Sequence, residues 1–173
     1  MATAPTLPLV TVEDYFKNGL WKEWEYDNGV LVPRHSGSPE HARLAGRLIK
    51  LLAGVDWLVP FTGQILSIPW DRRYRVPDVS FYPDGVGPGE SLENQVPPVV
   101  IFEVLSPSDP MVEMRSKCAE YQRLGIPHIY IVSPADRGVL VPHGIGFLPV
   151  EKIEIEVNGR RAEISIEDLF GPA

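Results

Sequence analysis

Val99-Val100-Ile101-Phe102-Glu103-Val104-Leu105 places one acid among six apolar residues. An unbroken run of β-branched and aromatic side chains, with no polar alternation, predicts a strand covered on both faces at the centre of a mixed sheet. Glu103 is the exception that gives the run its interest. An ionised carboxylate there loses its hydration and must be paired, neutralised or bound to a metal ion. The plainer alternatives are an edge-strand glutamate in solvent or a structural ion pair with an arginine.

Upstream of this run, Phe61 to Ile68 and Tyr74 to Tyr82 read as two further strands, rich in β-branched or aromatic residues and bounded by Pro, Gly or Asp. From Pro39 to Gly54 the pattern is helical, with Leu44, Leu48, Leu51 and Leu52 on one side and Gly54 past the last turn. Trp24 to Val32 predicts a hairpin that precedes the core, because Asn28-Gly29 supplies both positive-φ residues of a type I′ turn. Downstream, a helix is predicted from Pro110 to Leu124: Asp109 caps it, Pro110 takes its first position, and Gly125 and Pro127 end it. Ile129 to Val132 is a fourth strand.

The order is αβββαβ, an α/β layer structure with helices packed on a mixed central sheet. After Pro134 the chain is expected to be peripheral, a C-terminal β extension with a second hairpin turning at Asn158-Gly159 between Ile153, Ile155, Val157 and Ala162, Ile164, Ile166. The 15 residues from Asp84 to Pro98 are rich in Gly, Pro and acid, and a connection of that length is more often functional or mobile than idle. There is no internal repeat. A chain of 173 residues with 44% hydrophobic content predicts one domain spanning 1-173.

A formal net charge of -7 argues against coating nucleic acid by bulk charge, so any such contact must be local. Two basic clusters occur: Arg43, Arg47 and Lys50 on one helical face, and Arg72, Arg73 and Arg75 at the start of a strand. Both read first as solvated faces. Met1 to Pro8 is small and Pro-rich, an expected flexible lead-in without the basic and apolar regions of a signal peptide, and no apolar run would span a bilayer. The one cysteine, Cys118, reads as a small packed hydrophobe and suits a reducing cytoplasm.

Asp78 follows Pro77 in Arg75-Val76-Pro77-Asp78-Val79-Ser80-Phe81, where Val79 and Phe81 alternate with Asp78 and Ser80. Beside Glu103 on a neighbouring strand it becomes a candidate ligand, because two carboxylates and water are what Mg²⁺ or Mn²⁺ prefer. Without a cation the two charges would raise each other's pKa. His35, His41, His128 and His143 show no zinc-ligand spacing. The phosphate-binding, dinucleotide-binding and Gly-x-Ser-x-Gly signatures are absent.

Pro77-Asp78, Glu103-Val104-Leu105-Ser106-Pro107, and Lys117 with Tyr121 and Gly125 together resemble the Uma-type endonucleases of the PD-(D/E)xK superfamily. The resemblance runs from Glu25-Tyr26-Asp27-Asn28-Gly29 through His41 to Ile166-Glu167-Asp168-Leu169-Phe170. It implies a restriction-endonuclease-like core and a Mg²⁺ (or Mn²⁺) site made of Asp78, Glu103 and the carbonyl of Val104. It also implies hydrolysis of phosphodiester bonds in DNA. The superfamily's lysine position, two residues after Glu103, holds Leu105. The resemblance offers Lys117 as a migrated equivalent, while Glu113 four residues earlier offers it an ordinary surface ion pair.

Glu25, His41 and Tyr121 are accessory candidates: Glu25 as a supporting or direct metal contact or a solvated hairpin residue, His41 as a helix-start residue, Tyr121 packed with its hydroxyl at the rim. A homodimer is expected by fold-level analogy for cutting two strands. The rival reading is a catalytically inactive nucleic-acid-binding or assembly domain that kept the fold.

Overall fold

The computed structural model describes residues 9–34, 38–89, 91–92, 95–107 and 109–171. The expectations for Met1 to Pro8 and for His35 lie outside them, as does part of the 84–98 connection. Helix α1 (Val12–Lys17) is capped by the Thr11 hydroxyl and leads to the hairpin β1 (Trp24–Asp27) and β2 (Val30–Pro33). Its turn has Asn28 at φ 46° and Gly29 at φ 98°, as the Asn-Gly pair predicts. Helix α2 (Pro39–Leu52) starts where the Ser38 hydroxyl accepts from the His41 N–H, and its buried face carries His41, Leu44, Leu48 and Leu52.

Strands β3 (Leu58–Phe61), β4 (Leu66–Ile68), β5 (Arg73–Arg75), β6 (Val79–Pro83) and β7 (Val100–Val104) follow. Next come helix α3 (Met111–Arg123), strand β8 (His128–Ser133), the hairpins β9 (Gly138–His143) with β10 (Gly146–Val150) and β11 (Lys152–Val157) with β12 (Arg160–Ser165), and helix α4 (Ile166–Phe170).

The central sheet runs β10-β9-β8-β7-β6-β3. All its neighbours pair antiparallel except β7 and β8, which are parallel and joined through α3. Taking α2, β3, β6, β7, α3 and β8 in turn gives the expected αβββαβ core with a mixed sheet. The run around Glu103 is its central strand, buried along its whole length. Successive side chains of β7 divide between the layers: Val100, Phe102 and Val104 join the core under α2, whereas Ile101 joins the core under α3. Glu103, in phase with Ile101, reaches α3.

Two of the predicted strands are each two strands. Phe61 to Ile68 bends at Gly63, with φ 66°, and Tyr74 to Tyr82 is interrupted at Pro77, which has no N–H to donate. Their inner halves, β4 and β5, leave the central sheet and pair with the first hairpin in a second sheet of order β2-β1-β5-β4. Pro77-Asp78 therefore marks the crossing from one sheet to the other.

The chain after Pro134 is not peripheral. Strands β9 and β10 extend the central sheet, and Ile153, Ile155, Ile164, Leu169 and Phe170 lie in the core beside Leu44 and Leu48. Asp109 does not cap α3: its side chain accepts from the Ser106 N–H at 2.8 Å, closing the preceding turn, and Pro110 occupies the N-cap. Gly125, at φ 81°, ends that helix as predicted. Among the described residues no helix is long and apolar enough to cross a membrane.

Candidate metal and phosphate site

At the carboxyl end of β7, against the first turns of α2 and α3, lies a cleft lined by Glu25, His41, Asp78, Glu103, Val104 and Lys117, and also by Arg34, Asp109 and Glu113. Every site residue predicted from the sequence except Tyr121 lines it, and Tyr121 lies directly behind.

Asp78 stands one residue before β6, and its Oδ2 accepts from the Val104 N–H at 2.8 Å, tying the two acid-bearing strands together. The same oxygen meets His41 Nε2 at 2.8 Å. His41 is nearly buried, and the Asp78 hydrogen bond raises its pKa against the opposing pull of burial. The histidine at the helix start is thus packed, as a lone histidine there usually is, but its ring is spent on the aspartate.

Glu103 is 3% exposed. Its Oε1 accepts from the Tyr121 hydroxyl at 2.6 Å, so Tyr121 is a fully buried donor rather than a rim residue. Burial pushes the Glu103 carboxyl up to about 7; Lys117 opposes this, and Asp78 and Glu25 add to it. Tyr121→Phe removes a charge-assisted hydrogen bond, an interaction on the order of 1.5–3 kcal/mol, and is expected to raise the Glu103 midpoint by about one pH unit or more. Carboxyl ¹³C NMR of the titration checks this, and an unchanged midpoint would mean that the hydroxyl does not bind the ionised form.

Lys117 does not pair with Glu113. Its Nζ lies 3.0 Å from Glu25 Oε1, and the side chain is 16% exposed. Glu25 is not solvated: it is 1% exposed, with Oε1 also accepting from the Val76 N–H at 3.1 Å and Oε2 from Arg75 at 3.1 Å. Three donors occupy its two oxygens, which places Glu25 behind Lys117.

The reading of Arg72, Arg73 and Arg75 as a solvated face fails for the last two. Arg75 is 2% exposed and grips Glu120 through two nitrogens, at 2.7 and 3.1 Å, while Arg73 joins Asp27 and Glu120, each at 2.6 Å. Arg43 and Lys50 are exposed, and Arg47 is half-buried. Sequence reasoning missed Glu120. The available signal was its position three residues after Lys117, which puts both on one helical face.

The chemistry of the donors suits a hard cation. Asp78, Glu103 and the Val104 backbone offer oxygen, and two close carboxylates, one held near neutrality by burial, gain from a positive charge between them. Among the described residues no group of three or more His, Cys, Asp or Glu side chains could hold a metal ion. A closed protein cage is therefore not formed, whereas Mg²⁺ usually keeps several waters and takes only one or two carboxylates together with substrate phosphate. Cys118 has no part in this chemistry: it is buried beneath α3, with its thiol pushed up to about 12.

An α/β core with a mixed sheet that brings two acids and a lysine into one cleft is a nuclease-like fold. The crystal structure of a protein described as a "putative nuclease belonging to DUF820", from Anabaena variabilis, shares it with a TM-score of 0.65, at 17% identity over 85% of this chain and 89% of that one. The chain itself belongs to the Uma2 family, described as "Putative restriction endonuclease", whose model matches residues 12–170. No curated protein matched it.

Proposed function

We propose that the protein is a Mg²⁺- or Mn²⁺-dependent endonuclease that hydrolyses phosphodiester bonds in DNA. The observation that carries this reading is the convergence of Asp78, Glu103 and Lys117 on one cleft. Asp78, Glu103 and the Val104 carbonyl would hold the ion. When bound, the ion supplies Lewis acidity toward a phosphoryl oxygen and a water of lowered pKa.

The chain's own residues do the rest. His41 and the Val104 N–H both hold Asp78 through its Oδ2, and the Tyr121 hydroxyl holds Glu103, so that neither acid would have to reorganise when substrate enters. Lys117 presents a cation to the negative charge that develops on the phosphoryl group, taking the role that Leu105 cannot fill. Burial of Tyr121, Glu25 and Arg75 keeps water out from behind the site. A homodimer would serve duplex cutting, and the lone buried thiol of Cys118 suits a cytoplasmic setting.

The rival is an inactive binding domain of the same fold, and the discriminator is whether the Lys117 nitrogen comes within hydrogen-bond or one-water reach of Asp78 and Glu103. Lys117 lines the cleft with both acids instead of turning to solvent beside Glu113, which supports the enzyme, but its direct partner is Glu25 at 3.0 Å, which an ion-pair network of the rival would also show. Cleavage of plasmid and single-stranded DNA with Mg²⁺ or Mn²⁺ tests the choice. Asp78→Ala and Glu103→Ala are expected to abolish cutting, and Lys117→Ala to lower it by about a hundredfold or more, as removal of one preorganised charge-stabilising group does. A Lys117→Ala protein as active as the native chain would remove the lysine from the mechanism. A native protein that binds metal and cuts nothing would favour the rival.

A further inference from the structure

Arg75 does not line the cleft, yet it is bonded to Glu25, the carboxylate that pairs with Lys117. It sits on β5 with its guanidinium between two carboxylates, donating Nη1 to Glu25 at 3.1 Å and both Nε and Nη2 to Glu120. Glu25 carries Lys117 on its other oxygen, and Glu120 lies one turn beyond Lys117 on α3. Lys117, Glu25, Arg75 and Glu120 thus form a ring of alternating charge, closed through the helix backbone.

The geometry points to Arg75 as a positioning residue for Lys117: by taking half of Glu25, it keeps that carboxylate from neutralising the lysine, whose ammonium stays available to substrate. This rests on the role proposed above for Lys117. An isolated lysine and glutamate in a low-dielectric interior attract strongly, and a lysine locked to its own counter-ion has little charge left for a phosphate. Dividing Glu25 between two cations weakens its hold on each. The division needs a guanidinium, because a planar fork spans two carboxylates at fixed angles and an ammonium does not. Arg73, bonded to Glu120 and Asp27 and 3.5 Å from Asp71, extends the network toward the surface.

The test compares the full-length protein with Arg75→Gln, Arg75→Lys, Glu120→Gln and Ile101→Val, the last as a core change that leaves the ring intact. The chain has five lysines, so the ¹⁵Nζ signal of Lys117 is assignable by Lys117→Arg. Arg75→Gln leaves Lys117 as the one charged partner of Glu25 among the described residues, beside the Val76 N–H, whereas Glu120→Gln removes the charge that competes with Glu25 for Arg75. The Lys117 signal is expected to move in opposite directions in these two proteins and to stay in place in Ile101→Val. With Mg²⁺ and DNA, Arg75→Gln is expected to lower kcat by about tenfold, with Arg75→Lys failing to restore it.

A folded Arg75→Gln protein whose Lys117 signal matches the native one overturns the proposal, as does movement in the same direction in both variants. Should the Arg75 variants not fold, Glu120→Gln decides alone, and an unmoved signal overturns it. If the signals behave as expected but the native protein cuts no DNA, the ring stands and the nuclease reading falls.

Discussion

Replacing Glu103 with glutamine is expected to raise the melting temperature of the metal-free protein at pH 8 and to abolish its response to Mg²⁺. Burial lifts the Glu103 carboxyl from 4.5 to about 7 in the folded chain, so the fold favours its protonated form. That favourable contribution is complete below about pH 4.5 and is lost as the pH rises through 7. At pH 8 ionisation therefore works against the metal-free fold by up to about 3 kcal/mol. Glutamine keeps an oxygen to accept from Tyr121 and carries no charge to desolvate.

In the native chain a cation bound as proposed would offset the same cost, and saturation at a hundred times Kd would add about 2.7 kcal/mol to stability. Thermal melts at pH 5 and pH 8, with and without Mg²⁺, separate the two effects. The gap between the proteins should be wide at pH 8 without metal, narrower at pH 5, and reversed by Mg²⁺ at pH 8. A variant that melts below the native protein at pH 8 without metal would mean that Lys117 and Tyr121 already satisfy the carboxylate, and that Glu103 needs no ion.

Arg75→Met is expected to destabilise the protein by about 3 kcal/mol in urea titrations. Breaking a buried ion pair by removing one partner leaves the other charged and dry, which costs about 3–5 kcal/mol. The lower end applies because Arg73 stays with Glu120 and Lys117 with Glu25. The exposed ladder of Lys152, Glu154, Arg161 and Glu163 on the last hairpin has as many partners but sits in water, where such pairs contribute little. Adding Glu120→Gln to Arg75→Met should recover part of the loss, because Arg73 keeps Asp27 and Glu25 keeps Lys117. A loss under about 1 kcal/mol for Arg75→Met alone would mean that water reaches the carboxylates once the guanidinium is gone.

The sequence made the centre of this molecule easy to read and its flanks hard. Strand β7 stood out because six apolar residues around one acid fit a covered central strand and little else, and both Asn-Gly hairpins followed from backbone chemistry that admits few residues. Strands β5 and β6 merged into one because β-propensity is continuous across Val76 and only Pro77 marks the break. That break puts Asp78 at a sheet-to-sheet junction, where its backbone is not committed to one ladder.

Asp78, Glu103, Lys117, His41 and Tyr121 were visible as residue types at telling places. Their partners were less so, because a charged residue in a single sequence looks exposed until something covers it. Glu25, between Trp24 and Tyr26, and Arg75, between Tyr74 and Val76, each had the apolar neighbours that made Glu103 suspect. The same test applied to them would have marked Glu25 and Arg75 as a buried pair.

Strand β4 is the outer strand of the small sheet, and such a strand normally presents a row of open backbone groups. Here the Gln95 side chain, from the long connection after β6, accepts from the Ser67 N–H at 2.8 Å and donates to the Ile65 carbonyl. One amide thus imitates the next strand for a single rung. A passing chain in search of a β partner finds that rung already taken, which leaves this edge less open to pairing with a second copy.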